Sequence, residues 1–241
     1  MSVVSERADR LVAWLRDQGR EAGAAGAVVG VSGGIDSAVV AGLCQRAFGP
    51  DVLGVIMPAH SSPEDAEHAQ LIADAFGIAV HRVVLDDVYD RFLALLREGL
   101  ESPPPLAVAN LKPRLRMITL YFHANRLNYL VVGTGNRSEA TVGYFTKYGD
   151  GGVDLLPLAN LVKQEVRELA EYLGVPRPVI DRAPSAGLWS GQTDETEMGM
   201  SYEELDRYIL TGEARPEVAA RIQAMNQRSE HKRQLPPAGP R

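Results

Sequence analysis

The hexapeptide Ser32-Gly33-Gly34-Ile35-Asp36-Ser37 carries the strongest chemical signal in the chain. It follows a β-branched run ending in Gly30-Val31 and opens at once into an amphipathic stretch, so it reads as a strand-turn-helix junction. Two glycines let the backbone come close to a ligand. The helix start offers unpaired N–H groups at the positive end of its dipole, and two serines add hydroxyl donors. Together these make a cradle for pyrophosphate. A Walker loop would place lysine and Ser/Thr where this chain has Ile35 and Asp36, and the dinucleotide fingerprint would need a third glycine. A carboxylate beside phosphates repels them unless a cation is shared, so Asp36 predicts Mg²⁺ bridging the carboxylate to phosphate oxygens. The plain structural alternative is a serine-capped helix start with an acidic first turn.

Lysine is the second signal. Of the 25 basic residues only four are lysine, namely Lys112, Lys147, Lys163 and Lys232. Where a surface merely needs positive charge this chain uses arginine, so the lysines are candidates for a compact point charge against phosphate.

The elements that must position these groups alternate. Short β-branched runs at residues 27–31, 52–57, 80–85 and 129–133 are separated by amphipathic stretches, which implies βαβ crossovers and a parallel sheet. Helical patterns cover residues 5–20, 37–48, 62–76, 86–100, 107–126, 162–173, 202–210 and 216–227. Ser62-Pro63-Glu64-Asp65 is an N-cap signature, and Pro103-Pro104-Pro105 is a stiff connector. Residues 149–152 and 185–196 lack periodicity and read as functional loops. The expectation is one domain over residues 1–241, with an N-terminal helix within 1–25 and a flexible tail at 234–241.

The Ser-Gly-Gly-Xaa-Asp-Ser turn resembles the signature of the ATP pyrophosphatase superfamily, which cleaves ATP between the α- and β-phosphates and adenylates its substrate. Five further blocks narrow the resemblance: Val132 to Glu139, Gly143 to Leu158, Asn110 to Met117, Asp194 to Gly199 and Glu230 to Arg233. Together they resemble the ammonia-dependent NAD⁺ synthetases. That resemblance implies a doubly wound parallel α/β sheet of the adenine nucleotide alpha-hydrolase-like, PP-loop type, flanked by helices. It implies ATP contacts at Gly30, Val31, Ser32, Gly33, Gly34, Ile35, Asp36, Ser37, Thr134, Lys163 and Ser185. Deamido-NAD⁺ contacts are implied at Arg114, Lys147, Asp154, His231 and Lys232, with Asp36 and Lys163 as the catalytic pair and a homodimer as the assembly. The family often has threonine where this chain has Ser185, a change that keeps the hydroxyl. Residues 134–139 follow the fourth strand and emerge at the sheet's carboxyl edge, which makes Glu139 the second Mg²⁺ carboxylate opposite Asp36. Its plain reading is an exposed helix-start glutamate, and that of Lys163 is a solvated charge at a helix start. Arg116 reads as a packing or subunit contact.

Composition excludes other classes. Net charge is −6 with scattered basic residues, so nucleic acid is not an expected partner. Residues 1–6 lack a signal-peptide pattern and no apolar run approaches the roughly 18 residues of a membrane span, so a cytoplasmic protein is expected. Cys44 is the only cysteine and sits inside a helix pattern as a small hydrophobe. A glutaminase needs a nucleophilic cysteine and its own domain, so ammonia is the expected nitrogen donor. The rival readings are another adenylating ligase of the superfamily, tRNA-modifying or GMP-forming, and a non-catalytic adenine-nucleotide sensor.

Overall fold

Four short strands pair in parallel in the order β3-β2-β1-β4: β1 (Gly26–Gly30), β2 (Val52–Ile56), β3 (Ala79–Arg82) and β4 (Tyr129–Val132). The computed structural model describes residues 2–99, 102–189 and 192–239. Strand alternation splits the core into two layers. Ala27, Val29 and Val31 face one side, where they pack with α1 (Val3–Glu21), α2 (Ile35–Phe48), α3 (Pro63–Phe76), α8 (Lys163–Leu173) and α9 (Arg177–Ile180). Val28, Val55 and Val131 face the other side against Leu120 and Ala124 of α6 (Leu111–Leu127). Each fully buried valine or leucine contributes roughly 1.5–3 kcal/mol, and covering both faces explains why β1 is apolar at every position.

The strand order decides where a ligand can sit. From β1 the chain runs outward through β2 to β3, and β4 returns on the other side of β1. The direction reverses between β1 and β4, and at such a switch point the two following loops diverge and leave a crevice at the carboxyl edge. Residues 31–34 leave β1 there, and residues 133–136 leave β4 there, leading into α7 (Arg137–Val142).

Two expected helices, one strand and one loop changed. The stretch at 107–126 is two helices, α5 (Pro105–Ala109) and α6, separated at Asn110. Pro113 is the reason: in a continuous helix its ring would meet the carbonyl of Ala109, whereas a break at Asn110 puts it in the first turn, where proline is tolerated. The helix expected over 86–100 is α4 (Asp86–Arg97), and Leu100 lies outside the described residues. β3 ends at Arg82, short of the expected 80–85, although Val83 and Leu85 N–H still donate to Ile56 O at 2.9 Å and Pro58 O at 2.8 Å before α4 begins. Within the expected loop at 185–196, Thr193 caps a short helix, α10 (Asp194–Met198), while residues 190–191 lie outside the described residues. α11 (Tyr202–Thr211) and α12 (Pro216–Ser229) form a third small core with α7, and a 3₁₀ turn over Glu230–Lys232 follows. Among the described residues no helix is long and apolar enough to cross a membrane.

Candidate active site

The turn after β1 is built as its residue types require. Gly33 has φ +85°, and a Cβ there would lie 2.5 Å from the Asp65 carbonyl oxygen, so only glycine lets α3 close on the turn. Gly34 is the N-cap of α2, which places Ile35, Asp36 and Ser37 in its first turn. The Ser37 hydroxyl donates to Gly34 O at 2.8 Å and braces the turn, and Gly34 N–H donates to Ser32 Oγ at 3.3 Å.

Three charged side chains from three elements meet beneath this turn. Lys163, the first residue of α8, is only 2% exposed, and its Nζ donates to Asp36 Oδ2 at 2.5 Å. The same ammonium lies 3.6 Å from Glu139 Oε1 and 4.9 Å from the centroid of the Tyr202 ring. Asn136 Nδ2 donates to Asp36 Oδ1 at 2.9 Å, while the Asn136 and Glu139 side chains form a capping box that starts α7. The plain alternatives, a solvated charge for Lys163 and an exposed helix-start glutamate for Glu139, therefore fail: both side chains are held inward, facing Asp36.

Electrostatics follow from crowding. Burial pushes the Glu139 carboxyl up, the Asp36 charge adds to the rise and Lys163 only partly opposes it, leaving it at about 8. For Lys163, burial works against the ammonium, but the Asp36 and Glu139 carboxylates outweigh it and hold the group above the usual lysine range. A third carboxylate, Asp194, is buried with Oδ2 accepting from Tyr202 Oη at 2.9 Å and Oδ1 without a partner among the described residues. Burial raises it as well, against the pull of Lys163.

These residues fit a hard divalent cation. Asp36 and Glu139 are poorly hydrated oxygen donors that repel one another. Among the described residues no group of three or more His, Cys, Asp or Glu side chains can hold a metal alone. Two carboxylates, with phosphate oxygens and water completing the shell, is the mode Mg²⁺ favours.

A second group surrounds the turn at residues 143–148. Arg114 Nη2 donates to Lys147 O at 3.4 Å, Lys147 Nζ donates to His231 O, and Lys232 Nζ donates to Gly143 O at 2.8 Å and Phe145 O at 2.7 Å. Arg114, Lys147, His231 and Lys232 are thus brought together. Asp154 is spent elsewhere, accepting from Val131 N–H at 2.8 Å and Tyr121 Oη at 2.9 Å. Thr134 and Ser185 have no polar contact with Asp36 or Lys163 among the described residues; Ser185 is exposed and accepts from Gly187 N–H.

Two loops flank the crevice, and α6 holds both. Arg116 donates to Met57 O at 3.1 Å and Ser61 Oγ at 3.2 Å, an internal tie in keeping with the packing alternative. Buried Lys112 donates to Leu188 O at 2.9 Å, and Arg182 pairs with Asp65 at 2.5 Å. Cys44 is fully buried in α2 and its thiol is pushed up by that burial, so it is no nucleophile. Sequence reasoning missed Asn136, Asp194 and Tyr202. The first two stand inside quoted motifs, but nothing in spacing points an N-cap asparagine or a loop aspartate at Asp36.

A parallel, doubly wound sheet with a glycine turn and paired carboxylates at its switch point defines an α/β nucleotide-binding protein of the PP-loop type. A family model described as NAD synthase matches residues 7–236, and the chain belongs to that family. A curated relative, the NH(3)-dependent NAD(+) synthetase of Carboxydothermus hydrogenoformans, is 53% identical over 232 residues, covering 96% of each chain. Among solved structures, the NMN synthetase from Francisella tularensis superposes with a TM-score of 0.94 at 39% identity over 99% of both chains. The NH3-dependent NAD synthetase from Campylobacter jejuni superposes at 0.81 with 26% identity over 100% of both.

Proposed function

We propose that this chain is an ATP-dependent ligase that converts deamido-NAD⁺ to NAD⁺ with ammonia, releasing AMP and diphosphate. The observation that carries the reading is the meeting of Asp36, Glu139 and Lys163 beneath the glycine turn at the β1/β4 switch point. The family match and the relatives' names support it.

An oxygen of the nicotinate carboxylate attacks the α-phosphorus of ATP, the α–β bridging bond breaks, and pyrophosphate stays against the amides of residues 32–37. Ammonia nitrogen then attacks the activated carbonyl carbon and loses a proton. The acyl C–O bond breaks, and AMP leaves carrying one former carboxylate oxygen. Mg²⁺ held by Asp36 and Glu139 would supply charge neutralisation at the phosphates. Lys163 contributes a fixed positive charge, and Gly30, Val31, Thr134 and Ser185 complete the ATP contacts. Arg114, Lys147, His231 and Lys232 receive the dinucleotide's phosphates and carboxylate, and Asp154 is a further contact of the same substrate. The loops at 61–65 and 185–196 keep water from the adenylate. The buried state of the sole cysteine supports free ammonia as donor.

The molecule acts in the cytoplasm as a homodimer of single-domain subunits. Support for the dimer is an apolar face shared by α4 and α6, where Val88, Phe92, Leu95, Ile118 and Phe122 are all exposed. A second substrate reading follows from the Francisella NMN synthetase, which superposes over nearly the whole chain: the acid amidated is nicotinate mononucleotide.

One assay tests both. Purified protein with Mg²⁺ and ATP is given either acid, with ammonium or glutamine. The proposal expects NAD⁺ from the dinucleotide with ammonium and little with glutamine. Equal rates with the two nitrogen donors refute it, and a higher kcat/KM for the mononucleotide transfers it to the second reading.

A further inference from the structure

α8 caps itself only in part: Glu165 in its first turn accepts from Val162 N–H at 3.0 Å, but the N-cap side chain accepts from none of the first turn's N–H groups. Its N-cap residue is Val162, whose side chain carries no acceptor, yet the first turn of this helix holds the buried lysine of the nucleotide site. The missing acceptor comes from another helix. Asp206 of α11 is 4% exposed, and its Oδ2 accepts from Gln164 N–H at 2.8 Å. Its Oδ1 accepts from the Ser138 hydroxyl at 2.5 Å, and Ser138 Oγ in turn accepts from Lys163 N–H at 3.1 Å.

The placement is specific to the site. Ser138 precedes Glu139 on α7, and Gln164 follows Lys163 on α8, so one buried carboxylate grips the immediate neighbours of two of the three charged groups. Tyr202 lies one turn before Asp206 on the same face of α11, and its ring faces the Lys163 ammonium at 4.9 Å. One helix face therefore serves both ends of Lys163, its main-chain N–H through Ser138 and its side-chain Nζ through an aromatic ring. A carboxylate this buried is costly to desolvate and adds little as packing, so a role in simple stability would be met better by an apolar residue.

We propose that Asp206 is a positioning residue for nucleotide binding, which sets the starts of α7 and α8 relative to one another so that Glu139 and Lys163 meet Asp36. This rests on reading those three residues as the metal-nucleotide site. Asp206 does not touch the reacting atoms, and it acts through Ser138 and the first turn of α8.

The test uses the full chain with Mn²⁺ and ATP as probes. Free Mn²⁺ is followed by electron paramagnetic resonance to give the affinity of the Mn²⁺·ATP complex, alongside kcat, the KM for each substrate and the thermal midpoint. Asp206→Asn keeps an acceptor for Gln164 N–H but gives Ser138 no carboxylate, and Ser138→Ala breaks the link to Lys163 from the other side. Both are expected to weaken Mn²⁺·ATP binding and raise the KM for ATP about tenfold, the loss of one charge-assisted hydrogen bond, with the KM for ammonium unchanged. Asp206→Leu should do more, and if it fails to fold the two milder variants decide. Wild-type Mn²⁺·ATP affinity in both milder variants overturns the positioning role, as does a fall in thermal midpoint with every KM unchanged. A wild-type protein that binds no Mn²⁺·ATP overturns the nucleotide-site reading itself, which is a separate result.

Discussion

Lys163 shows what a single residue type can accomplish when a planar guanidinium would not fit. Its ammonium sits between two carboxylates with almost no solvent, 2.5 Å from Asp36 and 3.6 Å from Glu139. Replacing it with methionine strands both carboxylates, so Lys163→Met should lose activity by about 10²-fold or more and cost roughly 3 kcal/mol of stability near neutral pH, measurable by denaturant titration. Asp36→Asn should abolish pyrophosphate release from ATP while leaving the fold intact by circular dichroism. Glu139 gives a pH signature. Its carboxyl is raised to about 8 from an ordinary value near 4.5, so the folded state without ligands holds that proton more tightly than the unfolded chain. This stabilisation is complete below pH ~4.5 and disappears as pH rises to about 8. Metal-nucleotide binding needs the ionised form, so it should release a proton and strengthen between pH 6 and 8, up to about tenfold per unit. Calorimetry in buffers of different ionisation enthalpy reads that proton directly, and pH-independent binding would exclude Glu139 as a ligand. Asp36 was legible in the sequence because a carboxylate in a phosphate loop contradicts its surroundings unless a cation intervenes. Asn136, Asp194 and Tyr202 carry no such contradiction: each is an ordinary capping, loop or helix residue until folding brings it to Lys163.

At the scale of elements, legibility followed length. β1 and β2 were readable as unbroken apolar runs, α2 and α3 as helical stretches of 14 residues each, and Ser62-Pro63-Glu64-Asp65 marks where α3 starts. α7 spans Arg137–Val142 and α10 spans Asp194–Met198, and a helix of one or two turns shows no period at all. Only their caps, Asn136 with Glu139 and Thr193, were visible in principle. The break at Asn110 was readable from Pro113, whose effect on a preceding turn is steric and local, but the amphipathic pattern on either side obscured it. The turn after β1 can be tested as an element. In Gly33→Ala the new Cβ would sit 2.5 Å from the Asp65 carbonyl oxygen at a backbone angle of +85°, so α3 must retreat. The expected result is weaker ATP binding and a loss of about 1–3 kcal/mol in stability. Lys112→Met and Arg182→Ala release the loop before α10 from α6 and α3, and both should raise the ratio of AMP formed to NAD⁺ formed as water reaches the adenylate. An unchanged ratio would mean that those ties do not serve closure.

For the whole molecule, the parallel order β3-β2-β1-β4 decides where chemistry can happen, because among the described residues the strand order reverses direction only between β1 and β4. Strand alternation in the sequence predicted a parallel sheet but not its order, since order depends on which edge each crossover takes. The apolar α4–α6 face was not legible either: its residues look like core positions, and only the fold leaves them exposed. Phe122→Glu combined with Leu95→Glu should convert a dimer to monomers in sedimentation velocity, and an unchanged sedimentation coefficient would remove this face from the interface. The proposed reaction begins with the nicotinate carboxylate attacking the α-phosphorus of ATP at the residue 32–37 turn. Labelling both carboxylate oxygens of the acid substrate with ¹⁸O and analysing the products by mass spectrometry tests that step. Attack at the α-phosphorus puts one labelled oxygen in AMP and none in pyrophosphate, whereas label in a phosphate or pyrophosphate product with unlabelled AMP would rule that attack out.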